Sequence, residues 1–333
     1  MNPPSSARRM ALRPASIPLF CAAILLHATA ATAQGWPSKP VRVIVPVSAG
    51  GGIDTVARAM SQKYSEAWKQ PVVVENRAGA GGTIGADVVA KAPKDGYTLL
   101  INSTSQASSA AQYSKLPYDP VRDFAPASQI IFTYLMLGVN AGLPANSVAE
   151  LVALAKSQPG KLNFGSTGSG GSPHMVSELF RLETGINVVH VPYKGDAPLQ
   201  PALISNEVQY AFLTPIALMN HVKSGKVRAL AVTGQRRASI APEVPTMAEA
   251  GFPGVELTGW IGVFAPGGTP RDILAKISEE TQRALKLPDI APRVPSWGGD
   301  PAGTTPDEFE KRYHADIAKY RRIVKEAGIP PLD

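Results

Sequence analysis

Cysteine is nearly absent from this chain: Cys21 is the only one in 333 residues. A lone thiol closes no internal disulfide. If the segment carrying it is removed, no thiol nucleophile or cysteine metal site remains. Histidine is sparse too, at His27, His174, His190, His221 and His314, without the spacing of a zinc site, so neither metal nor cofactor is expected. Basic residues are scattered and form no stripe with interleaved aromatics, which argues against nucleic acid as a partner. No Gly-x-x-x-x-Gly-Lys-Ser/Thr occurs, and Gly50-Gly51-Gly52-Ile53-Asp54-Thr55 fails Gly-x-Gly-x-x-Gly at its last position. No Gly-x-Ser-x-Gly frames a serine, since Thr167 lies two before Ser169 and His174 two after Ser172. After residue 33 no apolar run reaches the ~18 residues of a membrane-spanning helix.

The beginning of the chain reads as a leader. Arg8, Arg9 and Arg13 form a basic start, residues 17–26 are apolar, and Ala31-Thr32-Ala33 is an A-x-A site. A signal peptide over residues 1–33, cleaved near Ala33, predicts export to a bacterial periplasm. Arg8-Arg9 admits a twin-arginine route, but Ala11 fits that motif poorly, and Leu19-Phe20 before Cys21 are too large for a lipoprotein site. Removal of the leader lowers the formal charge from +7 to +4, with 30 basic residues left against 26 acidic ones. A mature chain of ~300 residues suits two lobes.

Two glycine-rich turns organise what remains, Pro46 to Asp54 and Gly165 to His174. Val41, Val43, Ile44 and Val45 precede the first, and Ile53, Val56, Ala57 and Met60 follow it at helical spacing. Leu162 and Phe164 precede the second, with Val176, Leu179 and Phe180 after it. A strand, a turn without side chains and a helix start aim backbone N–H groups and a positive helix end at one point, which suits an anion. Alternating strands and helices predict parallel sheets built from βα units. Residues 130–139 and 257–264 are apolar enough to be strands crossing between lobes. That places lobe 1 at 34–133 and 258–333, and lobe 2 at 134–257, with a hinged cleft between them.

Several residues carry two readings each. Gly81 and Gly82 form a third small-residue junction, either a ligand wall or close helix packing. Ser103 and Ser105 follow a strand where open parallel sheets bind ligands. Asp54, in the first helical turn, caps N–H groups or meets a ligand. His174 donates to a ligand or packs; Tyr193 donates its hydroxyl, beside Lys194; Trp260 and Phe264 pack at the crossover or stack on a ligand.

Further motifs accumulate in order: Val73-Val74-Glu75-Asn76-Arg77-Ala78-Gly79-Ala80-Gly81-Gly82, Lys94-Asp95-Gly96-Tyr97, Pro159-Gly160-Lys161-Leu162-Asn163, Gly165-Ser166-Thr167-Gly168, Val191-Pro192-Tyr193-Lys194-Gly195, Arg228-Ala229-Leu230-Ala231-Val232 and Phe264-Ala265-Pro266. With the first turn, they make the chain resemble the tripartite tricarboxylate transporter substrate-binding proteins, or Bug receptors, over nearly its whole mature length. The resemblance implies a type II periplasmic-binding-protein fold, α/β, with two lobes joined by two crossover strands. It implies a non-enzymatic monomer that delivers a small organic carboxylate to membrane permease subunits. By motif, one lip of the site would be Ser48, Ala49, Gly50, Gly51, Gly52 and Asp54, and the other Ser166, Thr167, Gly168, Ser169 and His174. Thr214 stands where amino-acid-binding relatives often carry an acid, which disfavours an ammonium-bearing ligand. The alternatives are a loaded receptor for a membrane sensor and an exported serine hydrolase using His174.

Overall fold

Val41, Val43, Ile44 and Val45 are wholly buried and Arg42 alone in that strand is exposed, the pattern of a strand covered on both faces in a parallel sheet. The computed structural model describes residues 35–168, 170–193 and 195–332; the anticipated leader, with Cys21, the site candidate Ser169 and Lys194 lie outside them. Residues 35–38 belong to a separate unit, and Lys39–Asp333 forms the body that carries both sheets.

Within that body the order is β1 (Val41–Val45), α1 (Gly52–Trp68), β2 (Val72–Asn76), α2 (Thr83–Ala90), β3 (Thr98–Ser103), α3 (Ser105–Gln112) and β4 (Phe124–Thr133). Next come β5 (Met136–Asn140), α4 (Val148–Ser157), β6 (Asn163–Ser166), α5 (Ser172–Thr184), β7 (Val189–Pro192), α6 (Asp196–Ile204), β8 (Tyr210–Leu213), α7 (Pro215–Lys223) and β9 (Val227–Val232). The chain closes with β10 (Gly259–Pro266), α8 (Arg271–Ala284), β11 (Gly299–Pro301) and α9 (Pro306–Ala327).

Among the described residues the strands form two sheets, ordered β11-β4-β10-β3-β1-β2 and β7-β6-β8-β5-β9. The chain leaves the first sheet after β4 and returns to it as β10. In the first, β1 pairs in parallel with β2 and β3, whereas β10 runs antiparallel to β3 and β4. The second repeats this plan, with β6 parallel to β7 and β8, and β5 antiparallel to β8 and β9.

Residues 130–139, anticipated as one long crossing strand, divide into β4 and β5 with Tyr134 and Leu135 between them. The backbone must turn there because its partners change from β10 to β8 and β9. Nor does β10 itself cross, since all of it lies in the first sheet. Residues 233–258 make the return.

The last helix shows how sequence places an element. Thr305 Oγ1 accepts from Glu308 N–H and the Glu308 carboxylate accepts from Thr305 N–H, a capping box with Pro306 at the first turn. Phe309, Tyr313, Ile317, Tyr320 and Ile323 are buried along one face. Phe309 meets Trp260 edge-on with ring centroids 5.0 Å apart, and Trp260 Nε1 donates to Asp316 Oδ2 at 2.8 Å. An aromatic side chain of this size needs such a partner for its polar atom when buried. This packing fixes β10, and with it one wall of the cleft.

Candidate functional site

A cleft of about 390 Å³ opens between the carboxyl ends of strands from both sheets. Gly52, Ile53, Ser103 and Thr104 line it from the first sheet's connections; Thr167, Ser172, Pro173, Asp196 and Thr214 line it from the second's. All but Thr167, which sits in the turn five residues before α5, lie within two residues of the start of a helix: α1, α3, α5, α6 or α7. Helix starts carry unsatisfied N–H groups and a partial positive charge of ~0.5 each. Among the described lining residues there is no Lys, Arg or His. Any positive potential from the described walls of this cleft therefore comes from backbone.

The first turn is held rigid from within. The Asp54 carboxylate accepts from Gly50 N–H at 2.8 Å, from Arg58 Nε at 2.9 Å and from Asn76 Nδ2 at 2.9 Å. Burial alone would raise its pKa, but these hydrogen bonds and the charge of Arg58 outweigh that and hold it at about 2. Asp54 is thus a brace for the turn, and its oxygens are occupied. Gly50 N–H is spent on the same brace, which corrects its expected role as a free donor. Gly50 has φ of 85°, a conformation that glycine supplies without strain. Thr55 N–H closes the first helical turn onto Gly51 O at 2.9 Å, so the amides of Gly52 and Ile53 precede the first intrahelical bond. Ser48, Ala49, Gly50 and Gly51 are exposed but are not among the cleft-wall residues, which begin with Gly52.

The second turn is propped from beneath by two stacked histidines. Gly170 N–H donates to His174 Nδ1 at 3.0 Å, which leaves the His174 proton on Nε2, 3.7 Å from Glu178 Oε1. His174 stacks on His190 with centroids 4.1 Å apart, and His190 Nε2 pairs with Ser166 Oγ at 2.7 Å. Burial lowers the pKa of both rings, His190 to about 4. Ser166 is 0% exposed, so this serine–histidine pair meets no substrate and acts as scaffold. Thr167 faces the cleft, while Gly168 and His174 do not line it. Gln112 Nε2 of α3 donates to Gly170 O at 2.5 Å, tying the first lobe to this turn behind the cleft.

Other anticipated residues separate by position. Ser103 is on the wall; Ser105 Oγ donates to Asn102 Oδ1 at 3.0 Å and supports it from behind. Thr214 is on the wall and caps α7, its oxygen accepting from Ala217 N–H at 3.4 Å. Tyr193 hydroxyl donates to Glu207 at 2.7 Å, outside the cleft. Gly81 and Gly82 serve packing: a Cβ on Gly81 would meet Tyr113 Oη at 2.6 Å, and one on Gly82 would meet Pro46 Cβ at 3.4 Å. Trp260 is wholly buried in packing against α9, with its position bordering the cleft wall. Phe264 packs in the core, with Phe309 4.9 Å away.

Sequence reasoning missed Ser172, Asp196 and Trp297 in the wall, which also includes Thr104, between the anticipated Ser103 and Ser105. Thr104 Oγ1 accepts from Trp260 N–H at 2.8 Å, pinning the start of α3 to β10. Ser172-Pro173 carried a usable signal, a hydroxyl residue and a proline opening a helix. Asp196 directly follows the Tyr193-Lys194-Gly195 motif. For Trp297, in a 3-10 turn after α8, no local pattern pointed to the cleft.

Comparison with known proteins places this geometry. The family model for the tripartite tricarboxylate transporter family receptor matches residues 56–329. A UPF0065 protein of the tcbD-tcbE intergenic region of Pseudomonas sp. strain P51 is 37% identical over 294 residues, 88% of each chain. The solved structure of R. palustris Rpa4515 with adipate is 35% identical, covering 89% of this chain and all of that one, with a TM-score of 0.72. That of MatC from Rhodopseudomonas palustris with bound malate is 30% identical, covers 87% of this chain and all of that one, and has a TM-score of 0.68. On the strength of the family match, the shared two-lobe fold and the full coverage of the two solved structures, the chain belongs to the tripartite tricarboxylate transporter receptor family, a family of receptors rather than enzymes.

Proposed function

We propose that this protein is an exported periplasmic receptor that closes two lobes around a small organic carboxylate and presents it to the permease subunits of a tripartite transporter. Lobe 1 comprises residues 34–133 and 258–333, and lobe 2 residues 134–257. The carrying observation is that five helix starts from both sheets line one cleft with no cationic side chain among its described walls. One carboxylate accepts from the free amides of Gly52 and Ile53 and from Ser103, and the second lobe caps it through Thr167 and Ser172. Charge-assisted hydrogen bonds contribute about 1.5–3 kcal/mol each. Three or four, less the cost of ordering, are compatible with a dissociation constant near 1 μM, or about −8 kcal/mol. The solved relatives bound to adipate and to malate support a carboxylate as the ligand class.

The test is a thermal-shift panel of organic acids followed by calorimetry, with an ester panel alongside. A ligand at 100 times its dissociation constant stabilises the folded state by about 2.7 kcal/mol. Stabilisation by acids without ester turnover supports the receptor. Turnover without binding of any acid refutes it.

A further inference from the structure

Asp196 is the only charged side chain among the described residues of the cleft wall. It opens α6 immediately after Gly195, whose φ of 98° turns the chain there. Its carboxylate makes no hydrogen bond or ion pair with another described residue, in contrast to Asp54, which has three partners. The neighbouring wall is apolar and aromatic: Trp260, Trp297, Tyr134, Leu135 and Leu257. The cleft volume of about 390 Å³ is at the small end of the range for small-molecule sites. A ligand filling it presents three faces, one to the backbone amides, one to the rings and one to an unpaired acid.

Resting on the carboxylate-receptor reading, we infer that the ligand is a monocarboxylate with an apolar, ring-sized body and a hydroxyl donor, and that Asp196 selects it by accepting from that donor. A second carboxylate placed at Asp196 meets a like charge with no cationic side chain among the described walls to offset it. A hydroxyl there gains a charge-assisted bond instead. Asp196 is exposed, so water solvates its carboxylate until a ligand donor replaces that water, while partial desolvation by the surrounding atoms raises its pKa. The family relatives crystallised with adipate and malate set the contrast, because both of those ligands are dicarboxylates.

Calorimetry on the wild-type protein and Asp196→Asn, with 4-hydroxyphenylacetate, phenylacetate, adipate and malate as probes, tests the inference. The hydroxylated acid should bind about tenfold more tightly than phenylacetate and more tightly than either dicarboxylate. Asp196→Asn should shrink the first gap to about threefold or less and tighten adipate binding about tenfold. Asparagine suits the first turn of a helix, and an unchanged melting temperature confirms that the variant folds. Dicarboxylates binding best to the wild type, or gaps unmoved by Asp196→Asn, would overturn the inference and leave the receptor reading intact. Silence across these four and the whole organic-acid panel would remove both.

Discussion

Gly52→Ala separates recognition by backbone from every other account of the cleft, because its effects on stability and on affinity should have opposite signs. Gly52 is the first residue of α1, and a Cβ built on it has nothing within 4 Å. Replacing a glycine whose conformation alanine can adopt stabilises by about 0.4–1 kcal/mol through the unfolded chain. The added methyl enters the cleft wall beside the amides of Gly52 and Ile53, where the proposed carboxylate must come within ~2.9 Å to accept a charge-assisted bond. Losing one such bond costs about 1.5–3 kcal/mol, a tenfold to hundredfold rise in dissociation constant. Gly52→Val, with more bulk in the same open space, should remove two bonds and weaken binding at least hundredfold. Calorimetry with the best acid from the panel reads affinity, and thermal unfolding without ligand reads stability. Unchanged affinity in Gly52→Val with a folded protein would refute the argument, since no carboxylate could then be sitting on those amides.

Thr167→Trp fills the cleft from the second lobe; binding should weaken more than hundredfold with the ligand-free melting temperature unchanged, and retained affinity would remove that turn from the site. Asp54→Asn leaves Gly50, Arg58 and Asn76 competing for one oxygen and should destabilise by about 2–3 kcal/mol. Because the folded-state pKa of Asp54, about 2, lies below its ordinary value of 3.8, its contribution is fully present above pH 3.8. It is lost as pH falls toward 2, by about 2 kcal/mol in the wild type, and acid denaturation of the variant should lack that component. His190 is held at about 4 against an ordinary 6.5, by burial first and then by His174, with Glu178 pulling the other way. Its stabilising neutral form is complete above pH 6.5 and is lost as pH falls toward 4, by about 1–2 kcal/mol after allowing for its partial exposure. His190→Gln, which keeps a partner for Ser166, should flatten stability over that window in chemical denaturation.

The periodic parts of the chain were legible because burial dictates them. Helices α1 and α5 were anticipated after the two turns, as their apolar residues recur at helical spacing and must face a sheet. Helix α3 was not, because Ser105-Gln106-Ala107-Ser108-Ser109-Ala110-Ala111-Gln112 has small and polar residues where an apolar stripe belongs. Its place is set by tertiary contacts instead, from Thr104 pinned to β10 at one end to Gln112 bonded to Gly170 at the other. The division of residues 130–139 was hidden for the converse reason. Both halves are apolar, and only their partners distinguish them.

The site was legible as a pair of turns and illegible as a set of contacts. Glycine content identifies where backbone is bare, so both turns were found, but it does not say which N–H groups are already spent. Gly50 and Gly170 lose theirs to Asp54 and His174, two of the side chains that looked like ligand contacts. Asp54 and His174 therefore serve the turns, which leaves Gly52, Ile53 and Thr167 open to the proposed ligand. This division follows from the electrostatics of the cleft. A recognition site built on helix starts, with no cation among its described walls, depends on holding each amide in a fixed direction. The buried carboxylate and the stacked imidazoles supply that fixity without placing a charge of their own in the cleft.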